Sequence, residues 1–99
     1  MAETISVRIP EEELRKIEQI SKQEKTSKSE VLREVLDLGI KNKKLEIALT
    51  KYRNEEVSVG KAAELAEIPL TKFMDILVER DITFHYAIED LEEDFKDDF

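Results

Sequence analysis

Thr4-Ile5-Ser6-Val7-Arg8-Ile9 alternates strictly between polar and apolar side chains, and Pro10 ends the alternation. Strict alternation is the period of a β-strand with one buried face. A lone terminal strand has no partner in its own chain, and a two-stranded ribbon is marginal without packing. We therefore expect two chains to pair these strands as an antiparallel ribbon whose apolar face lies on helices. The outward polar face of such a ribbon fits the major groove of DNA.

The composition predicts a mainly α-helical protein. Of the 99 residues, 40% are charged, and only two are glycine and two are proline, which is typical of helical chains. The absence of cysteine excludes a disulfide framework and a thiolate metal site. No apolar run is long enough to span a membrane, and the N-terminus lacks the layout of a signal peptide. We therefore expect a cytoplasmic protein with no membrane partner.

The charge is unevenly distributed along the chain. The net charge is −8, yet residues 1–53 hold 12 basic and 10 acidic side chains. Residues 54–88 carry a net charge of −4, and residues 89–99 carry −6. DNA phosphates attract the first of these segments and repel the other two. The pattern favours a nucleic-acid contact in the N-terminal half.

Two helices are predicted after Pro10. Glu11, Glu12 and Glu13 place negative charge in the first turn of one helix, which the helix dipole favours. Ser27-Lys28-Ser29-Glu30 is a capping box that starts the second helix, with Thr26 as the alternative cap. The second helix then has an apolar stripe wide enough to pack on its own chain and on a partner. The stripe consists of Val31, Leu32, Val35, Leu36 and Leu38.

The end of this second helix has two interpretations. Gly39 closes it as a C-terminal glycine, so that the basic residues 41–44 form a linker and a further helix covers about residues 43–54. Alternatively, the helix continues through Gly39, because a glycine in a helix costs only about 1 kcal/mol. The sequence leaves both open.

A helix-turn-helix unit is predicted in the C-terminal half. Ser58 caps one helix, which Glu67-Ile68-Pro69 ends because a proline disfavours helix at the preceding residue. Apolar residues at helical spacing predict another helix over about residues 70–80, and residues 82–86 alternate as a short strand. The would-be recognition helix carries mixed charges, which favours packing or partner binding over a phosphate contact.

Residues 3 to about 42 resemble the ribbon-helix-helix family of DNA-binding proteins, the Arc and MetJ class. The resemblance rests on the alternating strand, on Ile9-Pro10 at its end, and on the Ser27-Lys28-Ser29-Glu30-Val31-Leu32 opening of the second helix. It implies a homodimer, or a higher oligomer on DNA, that binds a pseudo-palindromic operator in double-stranded DNA. The residues that it places on bases are Thr4, Ser6 and Arg8. The residues that it places on phosphates are Thr26, Ser27 and Lys28.

Residues 45 to about 94 resemble a second family, of small uncharacterised prokaryotic proteins. The resemblance rests on Ser58-Val59-Gly60-Lys61-Ala62-Ala63-Glu64-Leu65-Ala66, on Phe73-Met74-Asp75-Ile76-Leu77 and on residues 81–86, with Asp81 where that family usually turns with glycine. Many members are encoded beside PIN-domain-like toxins and are regarded as antitoxins. The two resemblances together predict a DNA-binding and dimerisation domain over residues 1–42 and a helical partner-binding module over residues 43–99.

The acidic C-terminal segment is the predicted partner contact. Leu91, Phe95 and Phe99 are spaced by four, and a segment with apolar anchors at helical spacing can fold into a partner's groove. The negative charge of residues 89–99 suits a basic cleft, such as the nucleic-acid-binding surface of a PIN-like ribonuclease.

The sequence predicts a regulator and not an enzyme. It contains no nucleophile elbow, phosphate loop or zinc spacing, and the lone His85 is expected to be structural, so no catalytic residue, cofactor or metal ligand is assigned. The leading hypothesis is a sequence-specific transcriptional regulator, an antitoxin that represses its own operon and neutralises a toxin through its C-terminal half. The alternatives are an interaction adaptor without specific DNA binding, and an architectural or partition protein that binds DNA broadly.

Overall fold

The computed structural model describes residues 2–84, which contain four α-helices. The helices are α1 (Glu11–Glu24), α2 (Lys28–Arg53), α3 (Val59–Ala66) and α4 (Leu70–Glu79). The contacts of the chain divide it into two compact units. The N-terminal unit ends at Leu38 and contains α1 and the start of α2, whereas the C-terminal unit begins at Gly39. The domain ranges 1–42 and 43–99 stay a prediction.

The predicted ribbon-helix-helix fold is wrong, because residues 2–84 contain no β-strand. Residues 4–9 have the alternation of a strand but belong to no regular element and pair with no described segment. Ile5 and Val7 are 80% and 76% exposed, so most of the apolar face of the pattern is not packed on the described residues. Alternation states which side chains would share a face, but a strand exists only as part of a ladder with another strand. Residues 82–84 likewise form no strand, and residues 85–86 lie outside the described range.

Helix α1 forms where its acidic first turn predicts it. The N–H of Leu14 donates to the carbonyl of Pro10 at 3.0 Å, which closes the first turn. Lys25 ends the helix with φ 54°, in the left-handed region that glycine usually occupies at this place. The N–H of the next residue, Thr26, donates to the carbonyl of Ser21 at 2.9 Å. This closure turns the chain sharply into α2.

Helix α2 decides between the two interpretations of Gly39: it runs unbroken from Lys28 to Arg53. The hydroxyl of Ser27 accepts the N–H of Glu30 at 3.2 Å, as the capping box predicts. The carboxylate of Glu30 pairs with Arg33 at 2.9 Å and does not complete the box. A Cβ at Gly39 would meet nothing within 4 Å, so no close approach requires the glycine. Residues 41–44, which form a basic linker in one of the two interpretations, are therefore helical.

The helix-turn-helix prediction is confirmed for α3 and α4. The hydroxyl of Ser58 accepts the N–H of Lys61 at 3.0 Å and caps α3. Glu67 ends α3 with φ 59°, and the N–H of Ile68 donates to the carbonyl of Ala63 at 3.1 Å. Pro69 then precedes α4, where its fixed φ of −60° costs no helical hydrogen bond.

One buried cluster joins the described helices of the C-terminal unit. The rings of Tyr52 and Phe73 meet edge to face, with centroids 6.1 Å apart and planes at 89°. Small residues of α3 belong to the same cluster. The cluster consists of Ala48, Leu49, Tyr52, Val59, Ala62, Ala63, Ala66, Phe73 and Leu77. It joins the C-terminal part of α2 to α3 and α4.

The turn after α4 uses an aspartate in a conformation that suits glycine. Asp81 has φ 57°, and its N–H donates to the carbonyl of Val78 at 3.1 Å. The N–H of Ile82 donates to the carbonyl of Leu77 at 2.9 Å. Aspartate tolerates this region better than most residues, so the left-handed turn forms without the expected glycine.

We expect Gly39→Ala to raise the free energy of unfolding by about 0.8–1 kcal/mol, because the glycine weakens an exposed helix interior and has no compensating contact. Urea denaturation at one protein concentration measures the change. Lys43→Ala is the control with a nearly neutral outcome, because lysine and alanine have similar helix propensities. A loss of stability in Gly39→Ala would contradict the unbroken helix.

We expect Phe73→Ala to lower the free energy of unfolding by about 3–5 kcal/mol, because a fully buried aromatic side chain leaves a cavity. The matched control is Phe84→Ala, which truncates an exposed phenylalanine and should cost far less. Thermal and urea melts followed by circular dichroism distinguish the two variants. Equal losses would show that Phe73 is not a core residue.

Candidate interaction surfaces

The three residues predicted to contact bases lie in the irregular segment before α1. Thr4, Ser6 and Arg8 are all exposed, and they belong to no regular element. Their side chains are accessible, but no ladder holds them in a shared register. The assignment of these residues to base contacts stays a prediction.

The residues predicted to contact phosphates surround the α1–α2 turn. Thr26 is half-buried, and Ser27 uses its hydroxyl to cap α2. The ammonium of Lys28 lies 3.0 Å from a carboxylate oxygen of Glu18 on α1. Both partners of this ion pair are partly exposed, so the pair is weakly stabilising and open to competition. We call the surface around this turn the basic turn; it consists of Lys22, Lys25, Thr26, Ser27 and Lys28.

A second surface, which we call the lysine groove, lies within the C-terminal unit. It is an open depression with a volume of about 480 Å³. Helix α2, the α3–α4 turn and α4 all contribute to it. Its lining consists of Lys41, Asn42, Leu45, Ala66, Glu67, Ile68, Lys72 and Ile76.

The lysine groove combines an apolar floor with a cationic rim. Leu45, Ile68 and Ile76 pack against the edge of the buried cluster and provide the floor. The rim carries Lys41 from α2 and Lys72 from α4. The carboxylate of Glu67 pairs with the ammonium of Lys44 at 2.9 Å. A surface of this kind suits a ligand that is apolar in the middle and anionic at its edges.

Sequence reasoning missed the lysine groove. One interpretation of the sequence places Lys41 in a linker. Lys72 lies on a predicted helix of mixed charge, for which a phosphate contact is not favoured. One usable signal was the spacing of four between Lys41 and Leu45, which places them on the same side of a continuous helix. The contribution of α4 depended on the packing of the unit and had no local signal.

The predicted partner-binding residues Leu91, Phe95 and Phe99 lie outside the described residues, as does His85. Among residues 2–84, no group of three or more histidine or acidic side chains is placed to hold a metal ion. Within the same range, no helix is both long and apolar enough to cross a membrane.

Comparison with known proteins identifies one family along the chain. The uncharacterised protein family UPF0175 matches residues 1–97. A UPF0175 protein of Archaeoglobus fulgidus is 39% identical over 51 residues, which is 52% of this chain and 59% of that protein. A UPF0175 protein of Synechocystis sp. is 29% identical over 51 residues, 52% of this chain and 57% of that protein. No solved structure matches significantly.

The extent of the family match corrects the expected domain fusion. The ribbon-helix-helix resemblance over residues 3–42 predicts a separate family joined to the second one, and this prediction is wrong. The family match instead includes this segment and continues to residue 97. The aligned part of the chain spans less than two-thirds of each curated relative. The chain therefore belongs to the uncharacterised protein family UPF0175.

Proposed function

We propose that this protein is an antitoxin-type regulator that binds a partner protein through its C-terminal half and DNA through its basic turn. The observation that carries the proposal is the lysine groove. Its apolar floor and lysine-containing rim are typical of a protein-binding surface. These lysines occur on a chain whose net charge is −8. The resemblance of the C-terminal half to antitoxins agrees with this role.

The lysine groove favours an acidic, amphipathic segment of a partner. An apolar side chain of such a segment would fit between Leu45 and Ile76, while its carboxylates pair with Lys41 and Lys72. The groove is open on one side, whereas a small ligand usually needs a site that covers most of its surface. An extended or helical peptide makes better use of a groove of this shape.

The acidic C-terminal segment supplies a second contact with the same partner. Leu91, Phe95 and Phe99 provide apolar anchors, and residues 89–99 carry a net charge of −6. A basic nucleic-acid-binding cleft of a PIN-like ribonuclease is the complementary surface. Blocking this cleft would neutralise the toxin without any chemistry on the part of the regulator.

The basic turn is the proposed phosphate contact. The start of α2 presents backbone N–H groups and the positive end of the helix dipole, which attract anions. Lys22 and Lys25 lie beside it, and Lys28 can exchange its exposed partner Glu18 for a phosphate. Thr4, Ser6 and Arg8, on the accessible N-terminal segment, are proposed to contact the bases.

One observation favours the alternative of an adaptor without specific DNA binding. Lys28, the cation nearest to the start of α2 in the sequence, already has a carboxylate partner at 3.0 Å. The balance between the two functions therefore depends on whether DNA competes successfully with Glu18.

We expect the double variant Lys41→Glu/Lys72→Glu to weaken binding of the protein encoded next to this one by about tenfold or more. The reversed charges would repel the carboxylates of the partner at the rim of the groove. Calorimetry on the two purified full-length proteins measures the affinity. Lys16→Glu, which reverses an exposed lysine of α1, is the control and should bind normally.

Unchanged affinity in the double variant, with a complex still formed, would remove the lysine groove from the interface. Absence of any complex would contradict the antitoxin function as a whole.

We expect Lys28→Ala to weaken binding to a duplex from the protein's own promoter and to reduce the salt slope by about one ion. Glu18→Gln should strengthen binding, because it releases Lys28 from its carboxylate and removes a negative charge near the phosphates. Gel-shift titrations at several salt concentrations measure both effects, with Lys43→Ala as the control.

No binding of the promoter duplex by the wild-type protein would select the adaptor. Equal affinity for promoter and random duplexes at matched salt would select an architectural protein. The regulator function requires that Lys28→Ala weakens DNA binding and that Glu18→Gln strengthens it. It also requires a clear preference for the promoter duplex over a random one.

A further inference from the structure

The end of α4 lies beside the lysine groove. The guanidinium of Arg80, which follows α4, lies 2.6 Å from a carboxylate oxygen of Glu46 on α2. In α2, Glu46 comes directly after Leu45, a floor residue of the groove. In α4, Ile76 of the floor lies about one helical turn before Arg80. The chain therefore leaves α4 next to the groove.

The turn after α4 keeps the chain on the C-terminal unit. The N–H of Ile82 donates to the carbonyl of Leu77 at 2.9 Å, and the side chain of Ile82 packs against the buried cluster. Phe84, the last described residue, is 39% exposed and is therefore covered in large part. The acidic C-terminal segment thus continues from a point on the same unit as the groove.

The acidic C-terminal segment has the chemistry that the lysine groove favours. Leu91, Phe95 and Phe99 are spaced by four, and residues 89–99 carry a net charge of −6. An acidic segment with apolar anchors at this spacing suits a groove with an apolar floor and lysines at its rim. The lysines that complement its carboxylates are Lys41 and Lys72.

The groove lies within reach of the first anchor. Residues 85–91 span at most about 25 Å, because each extended residue adds at most about 3.6 Å. On α4, the groove extends from Lys72 to Ile76, which is only about 6 Å along the helix axis. A flexible connection within one chain also gives an effective concentration in about the millimolar range. A separate molecule has to bind against this competition.

From these observations we propose that Leu91 and Phe95 of the acidic C-terminal segment occupy the lysine groove of the same molecule when no partner is bound. An acidic segment of the partner protein displaces them, and the released segment then contacts the basic cleft of that partner. The displacement step rests on the proposed function. The contact within the free protein requires neither a partner nor DNA, so the two proposals can fail separately.

A single nitroxide label on the full-length protein tests the contact within the chain. The chain has no cysteine, so Lys96→Cys provides one attachment site, next to Phe95. We expect the label to broaden the backbone amide signals of Leu45 and Ile76 in nuclear magnetic resonance spectra, compared with the reduced label. Adding Leu91→Ser and Phe95→Ser should remove this loss of intensity, because the apolar anchors are gone.

Charge reversal at the groove provides the second set of variants. Lys41→Glu/Lys72→Glu should also remove the broadening, because the new carboxylates repel the acidic segment. The matched control is Lys43→Glu/Lys51→Glu, which reverses two lysines that line a separate depression and should leave the broadening unchanged. Circular dichroism of each variant checks that the helices are retained.

Absence of broadening at Leu45 and Ile76 would overturn the proposal. So would broadening that both sets of variants leave intact, or that the control removes. Isotope-labelled chains without a nitroxide, mixed with nitroxide-labelled chains, test for a contact between two copies; broadening in the mixture as strong as within one chain would also overturn it. Binding of the partner should remove the broadening. A complex that leaves it unchanged would contradict the displacement step, whereas absence of any complex would contradict the proposed function alone.

Discussion

The edge-to-face contact between Tyr52 and Phe73 is the interaction on which the C-terminal unit depends. Tyr52 lies at the end of α2 and Phe73 lies on α4, 21 positions later, and both are fully buried. Aromatic pairs of this geometry contribute about 0.5–1.5 kcal/mol beyond the apolar area that they bury. Alanines of α3 belong to the same buried cluster. The contact links the end of α2 to α4.

The lysine groove is a consequence of the same packing. Once α4 lies against α2, Leu45 and Ile76 face a shared depression, and the α3–α4 turn closes one side of it. Glu67 on its lining pairs with the ammonium of Lys44 at 2.9 Å. This exposed pair contributes little to stability. The lining of the groove therefore combines apolar side chains with lysines from α2 and α4.

The two units differ in how their apolar residues are used. Among the described residues, the C-terminal unit buries a cluster of nine side chains. In the N-terminal unit, α2 buries Val31 and half-buries Leu32, whereas its Val35, Leu36 and Leu38 are exposed. The same helix thus contributes to the core of one unit and carries exposed apolar side chains in the other.

Local chemistry determined most of the helix limits directly from the sequence. Pro10, Ser27, Ser58 and Pro69 start the four helices because capping and fixed φ act within one turn of the chain. The sequence also indicated the apolar stripe of α2 and the helix-turn-helix unit, since both are periodic patterns. Only the tertiary structure decided the rest. Residues 4–9 have the period of a strand but form no ladder with a described segment. Gly39 lies inside a helix, because no turn or close contact ends the helix there. Lys41 and Lys72 line the same groove because the core brings α2 and α4 together. Periodicity specifies which side chains lie on one face, but it contains no information about what that face will meet.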